Sequence, residues 1–273
     1  MFQVRENRST AITAINLLEL IYHSTVRQLR KSHYSAVWGL IQNIFKAFLF
    51  VGMFFAMFSI LGMRGSAIRG DFLLYVMSGI FLFMTHNAAM GAVAGSENST
   101  SPMMQHAPMN TVVTITSAAL ASLYTQVLSI LIILGLYYAG VKPFVIDDPV
   151  GAAAMLFIAW FSGVAVGMVF LAVKPWAPGF VGVVQMVYAR ANMISSGKMF
   201  AANALPPAML ALFDWNPLFH AIDQARGFVF INYNPHNSSI EYPLKLSLAL
   251  IMIGLMGEFF TRKHASASWA ARR

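Results

Sequence analysis

Ionisable side chains fall within stretches of the chain that are otherwise apolar enough to cross a lipid bilayer. Among them are Lys46, His86, Arg190 and Lys198. A charge at the bilayer centre costs at least about 2.5–3.5 kcal/mol, so such residues face a polar interior, pair with a partner or reach an interface. Lys46 and Lys198 lie near the ends of their stretches and can snorkel to the membrane surface. Arg190 lies in mid-stretch and is expected to face a polar interior or a partner group.

The sequence lacks the common patterns of hydrolytic and metal-dependent enzymes. It has no cysteine, no G-x-x-x-x-G-K-[ST] phosphate loop and no H-E-x-x-H pair, and its seven histidines have no ligand-like spacing. We therefore expect no catalytic residue, no metal and no cofactor. An intramembrane enzyme, such as a glycan-lipid transferase, would need paired acids facing a cavity, whereas Glu258 stands alone and the other acids lie mostly in loops.

The composition is that of a membrane protein, with a mean hydropathy of +0.64 and only 10% charged residues. A soluble domain carries about a quarter charged residues, and a helical crossing needs about 20 apolar residues. The six predicted spans are roughly 38–62, 71–94, 111–139, 151–173, 180–198 and 244–261. They leave no stretch for a separate soluble domain, so an energy-converting domain must lie on another polypeptide.

The net charge of +8 is better explained by the orientation of the chain in a membrane than by nucleic-acid binding. No compact basic surface with interleaved aromatic residues is present. The basic residues cluster at the chain ends and in short loops, as the positive-inside rule requires. An even number of spans places both termini on this basic side, which predicts that both are cytoplasmic.

Residues 12–31 are predicted to form an amphipathic helix. The apolar stripe is Ile15, Leu18, Tyr22, Val26 and Leu29, and the polar stripe is Asn16, Glu19, His23, Arg27 and Arg30. A helix with an apolar face and a basic polar face lies along the membrane surface. The domain prediction is therefore a cytoplasmic arm and interfacial helix over 1–36 and a transmembrane domain over 37–273.

The segment 199–243 is too apolar for a solvated loop, and its prolines make the apolar pieces too short for a full crossing. It is predicted to form a re-entrant or interfacial hairpin on the outer side, buried in protein or lining a wet cavity. Asn216, Pro217 and His220 are expected mainly to shape and cap the turn, because proline fixes the backbone and asparagine bonds neighbouring peptide groups.

Three further patterns each allow more than one interpretation. Aromatic residues, 13% of the chain, form either an interfacial belt or a lining on which sugar rings stack as a polymer slides past. The pairs Gly91-x-x-x-Gly95 and Gly163-x-x-x-Gly167 are typical of helix packing. The polar loop 95–110 is either an ordinary connector or a docking element for a cytoplasmic partner.

Four motifs follow one another along the chain. The longest runs from Trp215 to Arg226 and reads W-N-P-L-F-H, with Asp223 three residues on and Arg226 three after that. The others are Arg30-Lys31-Ser32 before Trp38, His106-Ala107-Pro108-Met109-Asn110, and Met193-Ile194-Ser195-Ser196-Gly197 before Pro206. In order and spacing they resemble the membrane subunit of ABC-2-type polysaccharide exporters, the family of capsule and O-antigen export permeases.

This resemblance implies an all-α homodimer of six-span subunits that encloses a channel and binds two cytoplasmic ATPase subunits. The implied ATPase-coupling residues are Arg27, Arg30, Lys31, Glu97, His106 and Pro108. The implied channel or gate residues are Phe54, Phe58, Arg190, Trp215, Asn216, Pro217, His220, Asp223 and Arg226. The outer hairpin would gate the exit.

The expected function is that of a permease in the bacterial inner membrane, which passes a lipid-linked glycan from the cytoplasm to the periplasm. An alternative within the same architecture is the export of a small molecule, drug or lipid. The sequence leaves open the sugar composition, the lipid carrier and whether a periplasmic or outer-membrane export protein follows.

Overall fold

The structure, a computed structural model, describes residues 10–31, 36–60, 62, 70–97 and 111–264. All regular structure in these ranges is helical. The helices are α1 (Thr10–Lys31), α2 (Ala36–Ile60), α3 (Phe72–Ala94), α4 (Thr111–Gly140), α5 (Pro149–Val173), α6 (Pro178–Ser195), α7 (Pro207–Leu210), α8 (Pro217–Val229) and α9 (Glu241–His264), with a 3₁₀ turn at Ala202–Ala204.

Five of the described helices are long and apolar enough to cross a membrane, so the chain is a multi-pass helical membrane protein. The qualifying stretches are Val37–Ile60, Phe72–Ala94, Thr111–Gly140, Pro149–Val173 and Glu241–His264. They correspond to five of the predicted spans. The remaining predicted span, 180–198, coincides with α6, whose 18 residues are less apolar because they include Gln185, Arg190 and Asn192.

The centre of the protein is the close contact between α3 and α5. An ideal Cβ built on Gly163 would lie 2.3 Å from the carbonyl oxygen of His86, and one on Gly167 would lie 2.8 Å from that of Met90. Only glycine allows the two backbones to approach so closely. This confirms the packing interpretation of the Gly163 and Gly167 pair.

The same interpretation is wrong for Gly91. A Cβ on this residue would meet nothing within 4 Å in the described part of the chain. Gly91 instead lines a cavity between α1, α2, α3 and α4, because this face of α3 is turned away from α5. The spacing of two glycines indicates that a helix has a small-residue face, but it does not say whether another helix occupies it.

The other long helices surround this centre. Helix α9 packs along α5, α4 packs against α3, and α2 packs against both α3 and α4. Large apolar side chains project outward from these helices, as lipid-facing positions require. Examples are Phe48 on α2, Leu136 on α4 and Phe259 on α9, which are 66%, 65% and 72% exposed.

The predicted helix over 12–31 is confirmed by α1. This helix packs mainly against α4. Ser24 is buried, whereas Ile15, Leu18 and Tyr22 are each more than 60% exposed. Much of the predicted apolar stripe therefore points away from the rest of the chain. An amphipathic helix with this orientation can bury its outer face in a membrane surface.

Side-chain caps fix the starts of α3 and α5. Asp71 accepts a hydrogen bond from the backbone N–H of Leu73 at 2.9 Å, and the hydroxyl of Tyr137 near the end of α4 donates to the same carboxylate. Asp148 accepts from the N–H of Gly151 at 3.0 Å. The caps satisfy amide groups that have no partner within the helix.

Helix α8 lies between α3, α5 and α9. Leu218, Phe219 and Ile222 are at most 1% exposed, so this part of the 199–243 segment is a packed element of the core. Pro207 and Pro217 each stand at the first turn of a short helix. Proline is well tolerated there because its missing N–H would have had no partner within the helix.

Candidate functional site

One face of α8 is lined by the polar residues of the W-N-P-L-x-H motif and by the acidic and basic residues that come after it. Asn216, His220, Asp223 and Arg226 follow one another at intervals of three and four residues, which places them on the same side of a helix. All four are at most 7% exposed. Each of them is bonded to a different part of the chain that surrounds α8.

Asn216 caps α8 and joins it to α6. Its Oδ1 accepts a hydrogen bond from the N–H of Leu218 at 3.0 Å. Its Nδ2 donates to Oδ1 of Asn192 at 2.7 Å and to the hydroxyl of Ser195 at 2.9 Å. The expected capping by Asn216 is confirmed, with Pro217 in the first turn of the helix.

His220 connects the turn before α8 to the residues that precede α9. The N–H of Ser239 donates to Nδ1 at 3.1 Å, which requires that Nδ1 carry no proton. The assigned tautomer therefore has its proton on Nε2, which donates to the carbonyl oxygen of Asp214. The imidazole also contacts Tyr242, with 4.7 Å between the ring centroids.

Three parts of the 199–243 segment are joined by the buried carboxylate of Asp223. It accepts hydrogen bonds from the N–H of Ala202 at 3.3 Å, from the hydroxyl of Ser238 at 2.7 Å and from the hydroxyl of Tyr233. Burial and the adjacent Asp223 carboxylate raise the pKa of Tyr233, so the phenol stays protonated and remains a donor.

Arg226 is completely buried and holds the turn that follows α6. Its guanidinium donates to the carbonyl oxygens of Gly197 at 2.8 Å, Lys198 at 2.8 Å and Phe200 at 2.7 Å. Gly197 has a φ of +72°, and a Cβ there would lie 2.7 Å from the ring of Phe219. Both constraints require glycine at this turn.

Lys198 lies inside the protein, and the prediction that it snorkels to the membrane surface is wrong. It is 2% exposed, and its Nζ lies 3.7 Å from the ring centroid of Phe83, 4.7 Å from that of Phe54 and 5.5 Å from that of Phe50. Within the described residues, Nζ has no hydrogen-bond partner. The side chain is directed inward because Arg226 holds the backbone of its turn.

His86 begins a polar connection that runs from α3 to α8. Its Nδ1 lies 2.9 Å from the hydroxyl of Ser162 on α5, and its Nε2 lies 3.1 Å from the hydroxyl of Tyr188 on α6. Asn192 Nδ2 lies 3.5 Å from the same Nε2 and its Oδ1 accepts from Asn216. Helix α6, which packs only lightly on α3 and α5, is held by these polar contacts.

Arg190 lines an open groove of about 590 Å³ between α2, α3, α4 and α6. The other polar residues that line this groove are Asn43, Asn87, Gln126 and Gln185. The side chain is exposed in the single chain. Arg190 therefore faces a polar-lined opening from α6, which is not among the helices that are long and apolar enough to cross a membrane.

Of the remaining predicted channel or gate residues, Phe54 and Phe58 belong to one apolar core cluster, whereas Trp215 lies outside it. Phe54 and Phe58 are 3% and 8% exposed and are covered by side chains of their own chain; Phe58 packs edge-on against Phe72 at 5.6 Å between centroids. Trp215 is 55% exposed, and its indole N–H donates to the carbonyl oxygen of Leu212 at 2.7 Å.

The predicted ATPase-coupling residues are described only in part. Arg27 and Arg30 are exposed on α1. The carbonyl oxygen of Glu97 accepts a hydrogen bond from the hydroxyl of Thr114 at 3.2 Å. The side chain of Lys31 and the residues His106 and Pro108 lie outside the described part of the chain.

The structure thus brings together Asn216, Pro217, His220, Asp223 and Arg226. It also reveals bonding partners that sequence reasoning missed, among them Asn192, Ser238 and Tyr75. Asn192 carried a usable signal, because an amide within an apolar helix needs a hydrogen-bond partner. Comparison with known protein families and with curated proteins finds no match for this chain.

Proposed function

We propose that this chain is the transmembrane permease subunit of an ATP-driven polysaccharide exporter. In this proposal α6 is the fifth of six crossings, and 199–243 is a re-entrant hairpin on the periplasmic side of the bacterial inner membrane. Both termini are cytoplasmic. Two copies enclose a channel that moves a lipid-linked capsular or O-antigen-type glycan outward, and two copies of a separate ATPase subunit supply the energy.

The observation that carries the proposal is the bonding of the segment from Trp215 to Arg226, the most specific part of the resemblance. Its residues Asn216, His220, Asp223 and Arg226 are buried and secure the connection between α6 and α9. Irregular backbone is tolerated at membrane depth only when its polar groups are satisfied within the protein. The side chains of Asn216, His220, Asp223 and Arg226 provide hydrogen-bond partners for backbone groups of this segment, as a re-entrant hairpin requires.

The groove around Arg190 supports the location of the channel. Polar and cationic residues within apolar helices commonly mark transport pathways, and this groove is open to the outside of the single chain. A second copy placed against α2 and α6 would close it. Exposed apolar residues on α6, such as Phe180 and Val187 at 68% and 59% exposure, are available for that contact.

The proposal includes a separate ATPase subunit because the given sequence contains no phosphate-binding loop. In this proposal the face of α1 on which Arg27 and Arg30 are exposed contacts such a partner. The proposal predicts that the purified chain alone has no ATPase activity and that the complex with its ATPase shows turnover stimulated by glycan.

The functional test is deletion of the chain followed by reconstitution. Loss of surface polysaccharide on deletion, together with glycan-stimulated ATP hydrolysis seen only in the complex, supports the proposal. Normal surface polysaccharide after deletion contradicts it. Stimulation by a small molecule or lipid, but not by glycan, would favour the alternative cargo.

The pairing of two copies can be tested separately because the chain has no cysteine. A single cysteine at Val187 on α6 should cross-link two copies in membranes. The matched control is a cysteine at Met252 on α9, which is 65% exposed compared with 59% for Val187 and should not cross-link. Equal cross-linking at the two positions would contradict the proposed interface.

A further inference from the structure

We propose that one anionic phospholipid of the surrounding bilayer binds in the groove between α5 and α9, next to the last turn of α9. The groove holds the upper part of an acyl chain, and the basic last turn of α9 binds the phosphate. The inference goes beyond the proposed function, because it requires only that α5 and α9 lie in a membrane.

The α5–α9 groove has a volume of about 280 Å³. Its lining is almost entirely apolar and consists of Val169, Ala172, Val173, Trp176, Ile253, Gly257, Phe260 and Thr261. The hydroxyl of Thr261 donates to the carbonyl oxygen of Ala172 at 3.2 Å and accepts from the indole N–H of Trp176 at 2.9 Å. The groove therefore presents hydrocarbon contacts, while its hydroxyl and its indole N–H bond to one another.

Small residues form the floor of the α5–α9 groove. A Cβ built on Gly257 would lie 2.8 Å from the Cβ of Ala172, so the two helices touch at this point. The larger side chains of Val173, Ile253 and Phe260 are exposed and form its sides. The result is a trough that is open toward the lipid.

The length of the groove fits a lipid chain. Its lining residues on α9 run from Ile253 to Thr261, which is about 12 Å along a helix axis. The hydrocarbon core of a bilayer is about 30 Å thick, so the groove stays within one leaflet. A single acyl chain matches this length, whereas a partner helix that crosses the membrane needs a longer contact.

Three stacked rings connect the groove to the last turn of α9. The ring of Trp176 stacks on Phe260 with 5.8 Å between centroids, and Phe260 stacks on His264 at 4.1 Å. Nδ1 of His264 donates to the carbonyl oxygen of Phe260 at 2.9 Å, which fixes the imidazole above the groove. Tryptophan is enriched at the level of the lipid head groups, so Trp176 indicates the depth of the phosphate.

The last turn of α9 is basic. It contains Arg262, Lys263 and His264, which are all exposed. Glu258, the acidic residue of this part of α9, is buried and does not line the groove. Basic residues beside a pocket between membrane helices bind anionic head groups, and arginine offers phosphate a fork of donors. The charge of this turn therefore complements an anionic phospholipid.

The opposite end of α9 provides an internal comparison. Nζ of Lys245 lies 2.5 Å from the carboxylate of Glu241, so the positive charge at this end has an acidic partner on the same helix. The same substitution at Lys245 and at Lys263 therefore distinguishes a site at the last turn from a general effect of charge.

The test measures lipid retention by the full chain, purified in a neutral detergent, by native mass spectrometry. The probes are dipalmitoyl phosphatidylglycerol, dipalmitoyl phosphatidylcholine with the same chains, and glycerol 3-phosphate with none. We expect one phosphatidylglycerol per chain and weaker retention of the other two by about fivefold or more. Phosphatidylglycerol should also raise the thermal unfolding midpoint more than phosphatidylcholine, because a ligand of the folded state stabilises it.

Two matched pairs of variants test the two halves of the site. Lys263→Gln should weaken phosphatidylglycerol retention about fivefold, whereas Lys245→Gln should leave it unchanged. Ile253→Trp fills the groove and should abolish retention, whereas Met252→Trp alters a neighbouring residue that does not line it and should not. Ile253 and Met252 are both exposed, so both tryptophan variants should keep the unfolding midpoint measured without lipid.

Four results would overturn the proposal. Equal retention of the two lipids by the wild type would show that the head group is not recognised. Equal effects of Lys263→Gln and Lys245→Gln, or of Ile253→Trp and Met252→Trp, would exclude the last turn or the groove. Glycerol 3-phosphate retained as strongly as phosphatidylglycerol would mean that the ligand is not a lipid. Cross-linking of two copies through Ile253→Cys would mean that a second copy covers the groove.

Discussion

The guanidinium carbon of Arg226 lies 4.1 Å from the centroid of the Tyr75 ring. Tyr75 belongs to the central helix α3, so this contact anchors the 199–243 segment to the middle of the protein. The same guanidinium binds the backbone of the turn after α6. One side chain therefore links α3, α8 and the end of α6, and its removal should loosen all three.

Arg226→Ala should lower stability by roughly 3 kcal/mol or more, because each buried carbonyl left without a donor costs about 1–3 kcal/mol. Arg226→Lys should recover only part of this loss, since one ammonium cannot reproduce the planar fork of donors. The measurement is the thermal unfolding midpoint in detergent. The control is Arg190→Ala, which removes an exposed arginine. Equal midpoints for Arg226→Ala and Arg190→Ala would contradict the anchoring role.

Asn216→Ala should destabilise the chain by roughly 2 kcal/mol, through loss of the helix cap, worth about 1 kcal/mol, and of the bonds to Asn192 and Ser195. Asn216→Asp keeps the capping oxygen but loses the amide donor, so it should be intermediate. Asn203→Ala is the control and should have a smaller effect, because the bonds that it removes, to Asn234, His236 and Asn237, are all exposed.

A double-mutant cycle tests the link between α6 and α8 directly. Asn192→Ala and Asn216→Ala should show a coupling energy of about 0.5 kcal/mol or more, since groups in direct contact are not additive. Additive effects of the two substitutions would mean that this hydrogen bond does not join the helices.

Gly163→Ala should reduce stability by about 1–3 kcal/mol, because the new methyl group would overlap the carbonyl oxygen of His86 and push α5 away from α3. Gly91→Ala should be neutral or stabilising by up to about 1 kcal/mol, from the better helix propensity of alanine. Both variants are compared by unfolding midpoint and by yield from membranes. Similar losses at the two glycines would contradict the distinction between a packing face and a cavity.

Lys198→Met should preserve or raise the unfolding midpoint. The buried ammonium lacks a hydrogen-bond partner within the described residues, and its cation–π contacts, worth about 2 kcal/mol when desolvated, offset only part of the desolvation penalty. Methionine fills a similar volume and also contacts aromatic rings favourably. A lower midpoint for Lys198→Met than for the wild type would show that the charge itself stabilises the fold.

Lys174→Met is the matched comparison for Lys198. The Nζ of Lys174 donates to the carbonyl oxygen of Ala94 at 3.0 Å, so its replacement removes a real bond between the ends of α3 and α5. We expect a decrease in midpoint at this position. If export falls in Lys198→Met while stability is retained, the lysine serves transport.

Local features of the sequence predicted several elements correctly. Asn216 and Pro217 favour a helix start, because capping and proline geometry depend mainly on residues close together in the chain. The six-span count is supported for five helices. Helix α6 is not among these five helices, since Gln185, Arg190 and Asn192 reduce its apolar character.

The sequence could not predict the partners of the buried polar groups. Lys198 and Lys46 look alike as lysines near the ends of apolar stretches. The turn held by Arg226 buries Lys198 among three phenylalanine rings, whereas Lys46 lines a cavity between α1, α2, α3 and α4. Likewise, the glycine pairs of α3 and α5 have the same spacing, yet only the pair on α5 is covered by a neighbouring helix.

The sequence by itself determined that the chain occupies a bilayer, where its long helices begin and end, and which segment is broken by proline. These properties depend on residues close together in the chain. Tertiary structure alone decided which helix faces turn inward, because lipid outside a membrane protein is as apolar as the side chains within it, so hydrophobicity does not distinguish the two. The contacts of Arg226, Lys198 and Gly163 therefore became definite only when the helices were packed.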